Sequence, residues 1–253
     1  LREEKKCDMV FVLSHMGLSQ QVHLANQKCS EGVDYILGAD THERVREPLQ
    51  GKHSKVTEPG AFGSFIGKLD IVIENGKIKD EVYELLEVDP EKYKADEDMT
   101  HAIEKVKRPY KKILKEVLGQ STTPLMRYYI IETPMDNLIT DAVMWKFKTD
   151  IAVSNGFRFC PPLIPDPKTG FADITREYLW SMLPVDSEVK VADVKGKQIL
   201  GWLEKELENA FSKDANKRFG GWFVRFNGMK VTFTIGNEKG KRVQEVCIKD
   251  QPL

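Results

Sequence analysis

Two short stretches place residues that bind metal ions directly after strand-like apolar runs. "VLSHMG" carries His15, and "ILGADTH" carries Asp40 and His42 two residues apart. Imidazole nitrogen and carboxylate oxygen together suit Mn, Zn or Fe, particularly in the bridged two-metal sites of hydrolases. A single loop histidine is most often a plain polar residue, but two such loops beside glycines favour a metal site. We therefore predict that His15, Asp40 and His42 are metal ligands.

A third stretch, "SNGFR", combines a tight turn with a cationic side chain. Asn155 and Gly156 form a turn signal after an apolar run, and Arg158 follows two residues later. The planar guanidinium group of arginine binds oxyanions through paired hydrogen bonds. The alternative is an arginine that only closes its own loop, which is the commoner role. The residues leave both roles open, and Asn155, Gly156 and Arg158 are candidate substrate-binding residues.

The elements around the first two stretches indicate an α/β layer. "MVFVL" and "VDYIL" read as buried strands, and the short helix "HLANQKCSEG" lies between them. Alternating strands and helices place ligands at the carboxyl ends of the strands. The following "KVTEPGAFGSFIGKLDIVIENGKI" is rich in β-formers and has a hairpin signal at Asn75-Gly76. These features predict a first domain over residues 1–86.

The rest of the chain predicts a linking helix and an α+β domain. Apolar residues recur at helical spacing over 87–119, where Pro109 should interrupt the helix. A second domain should occupy 120–253, with strands at "TDIAVS" and "SEVKVADVKG" and antiparallel strands at the end. Asp173 should cap the helix "DITREYLWSML". The predicted fold class is therefore α/β and α+β, in two domains.

Composition narrows the classes of partner. The 253 residues are 41% hydrophobic and 30% charged, which is typical of a soluble globular protein. A formal net charge of −1 gives no field that would favour a nucleic acid polymer or an anionic membrane. No apolar run is long enough to span a bilayer. The chain opens "LREEKK" without methionine, so we interpret it as a fragment or a processed form.

Taken together, the motifs resemble a known family. "VFVLSHMGLSQQVHLA", "GVDYILGADTHERV" and "EPGAFGSFIGKLDIVIENGKI" are similar to the second half of the calcineurin-like metallophosphoesterase domain. The particular relatives are bacterial 5′-nucleotidases and cyclic phosphodiesterases. "ETPMDNLITDAVMWKFKTDIAVSNGFR" resembles the start of their C-terminal substrate domain. The likeness covers nearly the whole chain in the family's order, and it implies a layered α/β domain followed by a 5′-nucleotidase-type substrate-binding domain.

The resemblance assigns roles to the candidate residues. His15 is similar to a ligand of one metal ion and His42 to a ligand of the other, in the family's last motif, Gly-Gly-His-x-His. Asp40 stands where that motif has histidine. The complete protein would hold two divalent ions, Mn, Zn or Fe. The family's remaining ligands and its acid/base histidine would lie before Leu1, so this chain is expected to bind metal weakly and to be inactive alone.

The resemblance also implies a reaction and two alternatives. It implies metal-dependent hydrolysis of a small-molecule phosphoester by a 5′-nucleotidase or cyclic nucleotide phosphodiesterase, and a periplasmic or cell-surface location. The short "SNGFR" loop, however, resembles the sulfur-oxidation thiosulfohydrolases, and Val185 stands where nucleotidases have an aromatic side chain that stacks on the base. Cleavage of a sulfur ester is therefore an alternative. Asp40 favours a second one, a non-catalytic binding protein that has lost its metals.

The role of Arg158 can be tested by Arg158→Ala in the intact protein. Loss of one charge-assisted interaction should lower kcat/KM by about ten- to a hundredfold while the fold stays intact. Steady-state kinetics and thermal unfolding measure the two effects separately. Unchanged kinetics with clearly reduced thermal stability would show that Arg158 is structural.

Overall fold

The computed structural model describes residues 1–157, 161–218, 220 and 222–253. Two compact units divide the chain: Leu1–Lys94 with Phe211–Gly221, and Ala95–Ala210 with Trp222–Leu253. Both units combine helices with small sheets, which confirms the predicted fold class. The domain limits inferred from the sequence, at residues 86 and 119, stay a prediction about folding units.

The first unit is built on a four-stranded sheet beside a long hairpin. Its sheet has the order β1-β2-β4-β3, in which β1, β2 and β4 run parallel and β3 antiparallel. The hairpin consists of β5 and β6. The elements are α1 (Arg2–Lys5), β1 (Phe11–Ser14), α2 (Leu18–Ala25), β2 (Tyr35–Gly38), β3 (Leu49–Gln50), β4 (Lys55–Thr57), β5 (Phe65–Glu74) and β6 (Lys77–Glu87), with 3₁₀ turns at Lys28–Ser30 and Ala215–Lys217.

The core of the first unit explains why β1, α2 and β2 form one layered element. Ala25 on α2 packs against Ile36 on β2 and Val56 on β4, and all three are fully buried. Val12 on β1 packs against the same cluster. The parallel pairing aligns Ser14 with Gly38, so the loops after β1 and β2 leave the sheet at the same edge. Both predicted strands are confirmed, but only β2 is buried as predicted; in β1, Phe11 is 44% exposed and Leu13 is 83% exposed.

The hairpin turn follows from its two central residues. Asn75 and Gly76 have φ values of 50° and 71°, the left-handed region that asparagine and glycine adopt most readily. A two-residue turn with both φ values positive matches the twist of the flanking strands. The predicted hairpin at Asn75-Gly76 is confirmed.

The second unit consists of helices with small antiparallel sheets, β7-β9, β8-β10 and β11-β12-β13. One core lies where Leu125, Met135 and Met182 pack together. The elements are α3 (Glu97–Lys107), α4 (Lys111–Leu114), β7 (Val117–Ser121), α5 (Pro134–Phe147), β8 (Ala152–Ser154), β9 (Ala172–Thr175), α6 (Arg176–Met182), α7 (Gly196–Phe211), β10 (Arg225–Asn227), β11 (Met229–Phe233), β12 (Val243–Ile248) and β13 (Gln251–Pro252).

The predicted linking helix is helical over only part of its length. Helix α3 ends at Lys107, a 3₁₀ turn containing Pro109 follows, and α4 ends at Leu114. Interruption at Pro109 is the predicted effect of a residue that lacks a backbone N–H. Residues 117–121 form β7 and pair with β9, so the end of the predicted helix belongs to a sheet.

Two further local predictions were wrong. Asp173 lies within β9 and accepts a hydrogen bond from Gln120 Nε2 at 2.8 Å, while Thr175 caps α6 by accepting from the Tyr178 N–H at 3.1 Å. The stretch 187–195 forms no strand, although its valines alternate; Val189 and Val191 are more than half exposed. Alternation marks a strand only where a neighbouring strand supplies the hydrogen bonds.

Gly228 and Gly240 have similar positive φ values but differ in the space around them, so substitutions there distinguish the cost of backbone strain from the cost of a steric clash. Gly228 and Gly240 have φ values of 87° and 82°, but an added Cβ would lie 2.0 Å from the Asp150 carbonyl oxygen at the first and meets nothing within 4 Å at the second. Gly240→Ala should therefore cost about 1–2 kcal/mol of unfolding free energy. Gly228→Ala should cost on the order of 3 kcal/mol or more. Chemical denaturation of both variants checks this, and equal losses would contradict the clash.

Candidate functional site

His15 and Asp40 come together at the carboxyl edge of the parallel sheet. Each follows its strand by one or two residues, because β1 ends at Ser14 and β2 at Gly38. His15 Nε2 lies 3.4 Å from Asp40 Oδ1, and the two side chains are 86% and 30% exposed. The structure therefore brings together two of the three predicted metal ligands, with access from solvent.

The backbone of the second loop is held in an unusual conformation at both candidate ligands. Asp40 and His42 have φ values of 81° and 61°. Left-handed residues other than glycine are uncommon, although aspartate and histidine adopt this region more often than most, and such residues cluster at functional sites. The His42 ring packs edge-on against Phe62, with ring centroids 5.3 Å apart. The two residues that flank Thr41 therefore both have left-handed backbone conformations, which are strained for residues other than glycine.

A buried carboxyl group that the sequence analysis missed supports this loop from below. Glu58 is fully buried. It accepts hydrogen bonds from the Glu43 N–H at 2.9 Å and from Thr41 Oγ1 at 3.2 Å. Burial raises the pKa of Glu58, and these hydrogen bonds oppose that rise. Its position gave a signal: Glu58 directly follows β4, the third strand of the parallel set, as Asp40 follows β2.

The paired side chains fit a divalent cation as two of its donors. His15 Nε2 and Asp40 Oδ1 lie 3.4 Å apart, close enough for both atoms to bind one cation. Within the described ranges, no group of three or more His, Cys, Asp or Glu side chains is arranged to hold a metal ion. The chemistry of the donors fits, and their number is that of a partial site.

The predicted substrate loop lies in the second unit, directly after β8. Gly156 has a φ of 73°, and an added Cβ would lie 3.0 Å from the Trp222 ring. The Asn155 side chain accepts a hydrogen bond from the Phe157 N–H at 3.0 Å, and its carbonyl oxygen accepts from Trp222 Nε1 at 2.9 Å. Asn155 and Gly156 therefore shape the turn. Arg158 lies outside the described residues.

A buried ion network holds the start of this loop. Asp136 is fully buried and accepts hydrogen bonds from Arg127 Nη2 at 2.8 Å and Arg225 Nε at 3.3 Å. Arg127 also donates to Ser154 Oγ at 3.1 Å, and Ser154 in turn donates to Asp136 at 3.0 Å. The last residue of β8 is thereby tied to α5. Sequence analysis missed these residues because the pairing joins positions far apart in the chain.

The loop opens into a cleft of the second unit. The cleft has a volume of about 1450 Å³, and its lining includes Arg127, Asn155, Phe157, Trp180 and Val185. Val185 is 66% exposed and Trp180 is 51% exposed. Charged, amide and aromatic side chains therefore face one space beside the predicted substrate loop.

The comparisons with known proteins agree with the resemblance seen in the sequence. A family model described as "5′-nucleotidase, C-terminal domain" matches residues 117–253. Among curated proteins of Bacillus subtilis (strain 168), the chain is 27% identical to the trifunctional nucleotide phosphoesterase protein YfkN, over 98% of this chain and 17% of that protein. The chain is also 26% identical to the endonuclease YhcR, over 95% of this chain and 19% of that protein.

A third relative and two solved structures extend this picture. Protein 5NUC of Lutzomyia longipalpis is 26% identical over 98% of this chain and 48% of its own length. The sulfate thiohydrolase SoxB of Thermus thermophilus superposes with a TM-score of 0.90 at 24% identity, over 97% of this chain and 44% of that one. A 5′-nucleotidase precursor, also of Thermus thermophilus, superposes with a TM-score of 0.82 at 23% identity, over 100% of this chain and 52% of that one. These structural likenesses confirm the predicted fold.

Coverage of the relatives is partial. The chain spans between about a sixth and a half of the length of these curated proteins. What the relatives' names state about nucleotide phosphoesters or nucleic acid therefore refers to much longer proteins.

The buried network makes a clear prediction for stability. Asp136→Asn keeps the shape of the side chain but leaves the charges of Arg127 and Arg225 buried without a counter-ion. Removing one partner of a buried ion pair costs about 3–5 kcal/mol, so the denaturation midpoint should fall sharply. Asp250→Asn is the matched control, because Asp250 pairs with Lys230 at a site where both are 82% exposed. Equal midpoints for the two variants would contradict the role given to Asp136.

Proposed function

Because the chain belongs to the family of the 5′-nucleotidase C-terminal domain, we propose that it is part of a metal-dependent hydrolase of small phosphoesters. The substrates in this proposal are 5′-nucleotides or cyclic nucleotides. Support comes from the family match and from the similarity to a nucleotide phosphoesterase. The observation that carries the metal-dependent part is the contact between His15 and Asp40 at the carboxyl edge of the parallel sheet.

In this proposal the first unit supplies metal ligands. His15 and Asp40 present a nitrogen and a carboxylate oxygen to one side of the sheet edge, and His42 on the same loop serves the second ion. A bound divalent ion would polarise a phosphoryl oxygen and lower the pKa of bound water. Asp40 in place of a histidine favours a harder ion, so manganese is preferred over zinc. The family resemblance implies an acid/base histidine, and none of the candidate residues named here is given that role.

The second unit holds the remainder of the substrate. Asn155 and Gly156 set the turn, and Arg158 binds an anionic group of the substrate through its guanidinium fork. The cleft beside this turn offers Trp180 and Phe157 as apolar surfaces for a base or another flat group. Stacking on an aromatic side chain contributes about 1–3 kcal/mol per base. This unit therefore determines which ester is bound.

A sulfur ester is the second candidate substrate. The loop "SNGFR" is short, and Val185 after Pro184 gives the cleft an aliphatic side chain, 66% exposed, where an aromatic platform would serve a nucleobase. The two candidates share the same metal chemistry and differ in the group that the cleft accepts. A non-catalytic binding protein is the third possibility, and Asp40 is the residue that favours it.

The setting of the protein is part of the proposal. We place it outside the cytoplasm, in the periplasm or at the cell surface, as the family resemblance implies. Over the described residues, no helix combines the length and apolarity needed to cross a bilayer. The expected partner is a small-molecule ester rather than a nucleic acid polymer, consistent with a formal net charge of −1.

The proposal is tested with the intact protein and a panel of substrates. AMP, a 2′,3′-cyclic nucleotide, a sulfur ester and a single-stranded oligonucleotide are assayed with Mn²⁺ and after chelation. We expect turnover of the nucleotides that chelation abolishes. His15→Ala and Asp40→Ala should each lower kcat/KM by at least about tenfold. His101→Ala, an exposed histidine on α3, should leave it unchanged.

Each other outcome selects another reading. Turnover of the sulfur ester alone would establish the second candidate, and turnover of the oligonucleotide would show a polymer substrate. No bound divalent ion after dialysis into dilute Mn²⁺ would favour the binding protein. Tight stoichiometric Mn²⁺ binding with turnover by the 253-residue chain alone would show a self-sufficient site and contradict the proposed missing ligands.

A further inference from the structure

A buried glutamine connects the two loops that carry His15 and Asp40. Gln21 on α2 is fully buried, and its Nε2 donates to the Met16 carbonyl oxygen, next to His15. The same group lies 3.5 Å from the Ala39 carbonyl oxygen, next to Asp40. Gly38 is needed for this arrangement, because an added Cβ would lie 1.9 Å from Gln21 Oε1. One side chain thus spans the backbones of both loops.

Thr41 makes a second connection between the same loops. Its side chain is 5% exposed. Its Oγ1 donates to Glu58 Oε1 at 3.2 Å and accepts from the Leu18 N–H at 3.3 Å, at the start of α2. The hydroxyl group is therefore both donor and acceptor between the Asp40 loop and the helix that follows His15.

Glu58 completes the set as the common acceptor. Its carboxyl group accepts from the Glu43 N–H and from Thr41, and Gln21 Nε2 lies 3.5 Å from its Oε2. No lysine or arginine in the described part of the chain forms an ion pair with it. A carboxylate has two oxygens and about four acceptor positions, which an amide or a hydroxyl does not have. The number of donors explains why an acidic residue occupies this buried position.

We infer that Gln21, Thr41 and Glu58 form a positioning group that fixes the spacing between His15 Nε2 and Asp40 Oδ1 for one divalent cation. The inference rests on the proposed function, and it assigns a role to three residues outside the predicted ligand set. None of the three touches the cation. They act through the backbone at Met16, Ala39 and Glu43.

The positive φ values in the Asp40 loop explain why the loop needs hydrogen bonds to hold its conformation. Asp40 and His42 are both in the left-handed region, which costs on the order of 1–2 kcal/mol per residue in the absence of compensation. Thr41 lies between them, and Glu43 follows directly. Hydrogen bonds from these two residues to Glu58 hold the strained loop in place. Outer residues that orient metal ligands typically change metal affinity by about 10–100-fold when mutated.

The experiment compares isosteric and conservative variants of the intact protein. Mn²⁺ binding is measured by EPR of the free ion, and the exchange rate of the Glu43 amide is measured by NMR. Thr41→Val removes the hydroxyl group and keeps the shape, while Thr41→Ser keeps the hydroxyl group. Glu58→Gln leaves one acceptor oxygen where there were two. Thr140→Val, at a buried position of the second unit, and Glu84→Gln, at an exposed position of β6, are controls.

We expect Thr41→Val and Glu58→Gln to weaken Mn²⁺ binding by about tenfold or more and to speed exchange of the Glu43 amide. Thr41→Ser should restore the Kd of the unmodified protein to within about twofold, which a purely structural defect would not explain. The two control variants should bind Mn²⁺ as the unmodified protein does. If folded Thr41→Val and Glu58→Gln bind Mn²⁺ as the unmodified protein does, the inference is overturned and the proposed function stands.

Failure of the proposed metal site can be distinguished from failure of the positioning role. If the unmodified protein binds Mn²⁺ no better than a variant with both His15→Ala and Asp40→Ala, the metal site of the proposed function fails. Amide exchange then decides the positioning role alone. Faster exchange at Glu43 in Thr41→Val and Glu58→Gln, reversed in Thr41→Ser, supports it, and unchanged exchange overturns it.

Discussion

The negative charge of a buried carboxylate must be neutralised by nearby cations and hydrogen-bond donors. In the second unit this requirement applies to Asp136, and meeting it fixes the positions of several elements. Arg127 and Arg225 contact its two oxygens, and Arg225 also donates to the backbone carbonyls of Ile131 and Phe223, each at 2.6 Å. Two guanidinium groups and one carboxylate are worth retaining only if nearly every donor is satisfied. The network therefore constrains the start of α5, the end of β8 and the strand that carries Arg225 at once.

The first unit uses a buried carboxyl group in a different way. Glu58 is held by a hydroxyl group and a backbone N–H rather than by a cation. Hydrogen bonds to a carboxylate are stronger than those to a neutral acceptor, so these two donors favour the charged form that burial disfavours. Asp40 in the loop held by Glu58 and His15 in the neighbouring loop both remain open to solvent, as expected of groups that must exchange water for a ligand. Both candidate loops depend on buried acids beneath them.

Local signals in the sequence predicted the features that are decided within a few residues. The Asn75-Gly76 turn follows from the two residues that adopt positive φ, and Pro109 ends a helix because it lacks an N–H. The strand predicted over 187–195 failed for the opposite reason. Alternating valines give only the side-chain pattern of a strand. A strand also needs a neighbouring strand to hydrogen-bond with, and the sequence of the segment does not show whether one is present. Thr175 rather than Asp173 caps α6 because β9 extends through residue 175.

The sequence by itself determined the residue types of the candidate site and the order of the strands that carry them. His15 and Asp40 each follow an apolar run, as residues at the carboxyl ends of neighbouring strands in an α/β layer do. Tertiary structure decided their 3.4 Å spacing and the role of Glu58 and Gln21. Burial of a polar side chain and the identity of its distant donors depend on how the sheet and α2 pack, and no local pattern records that packing.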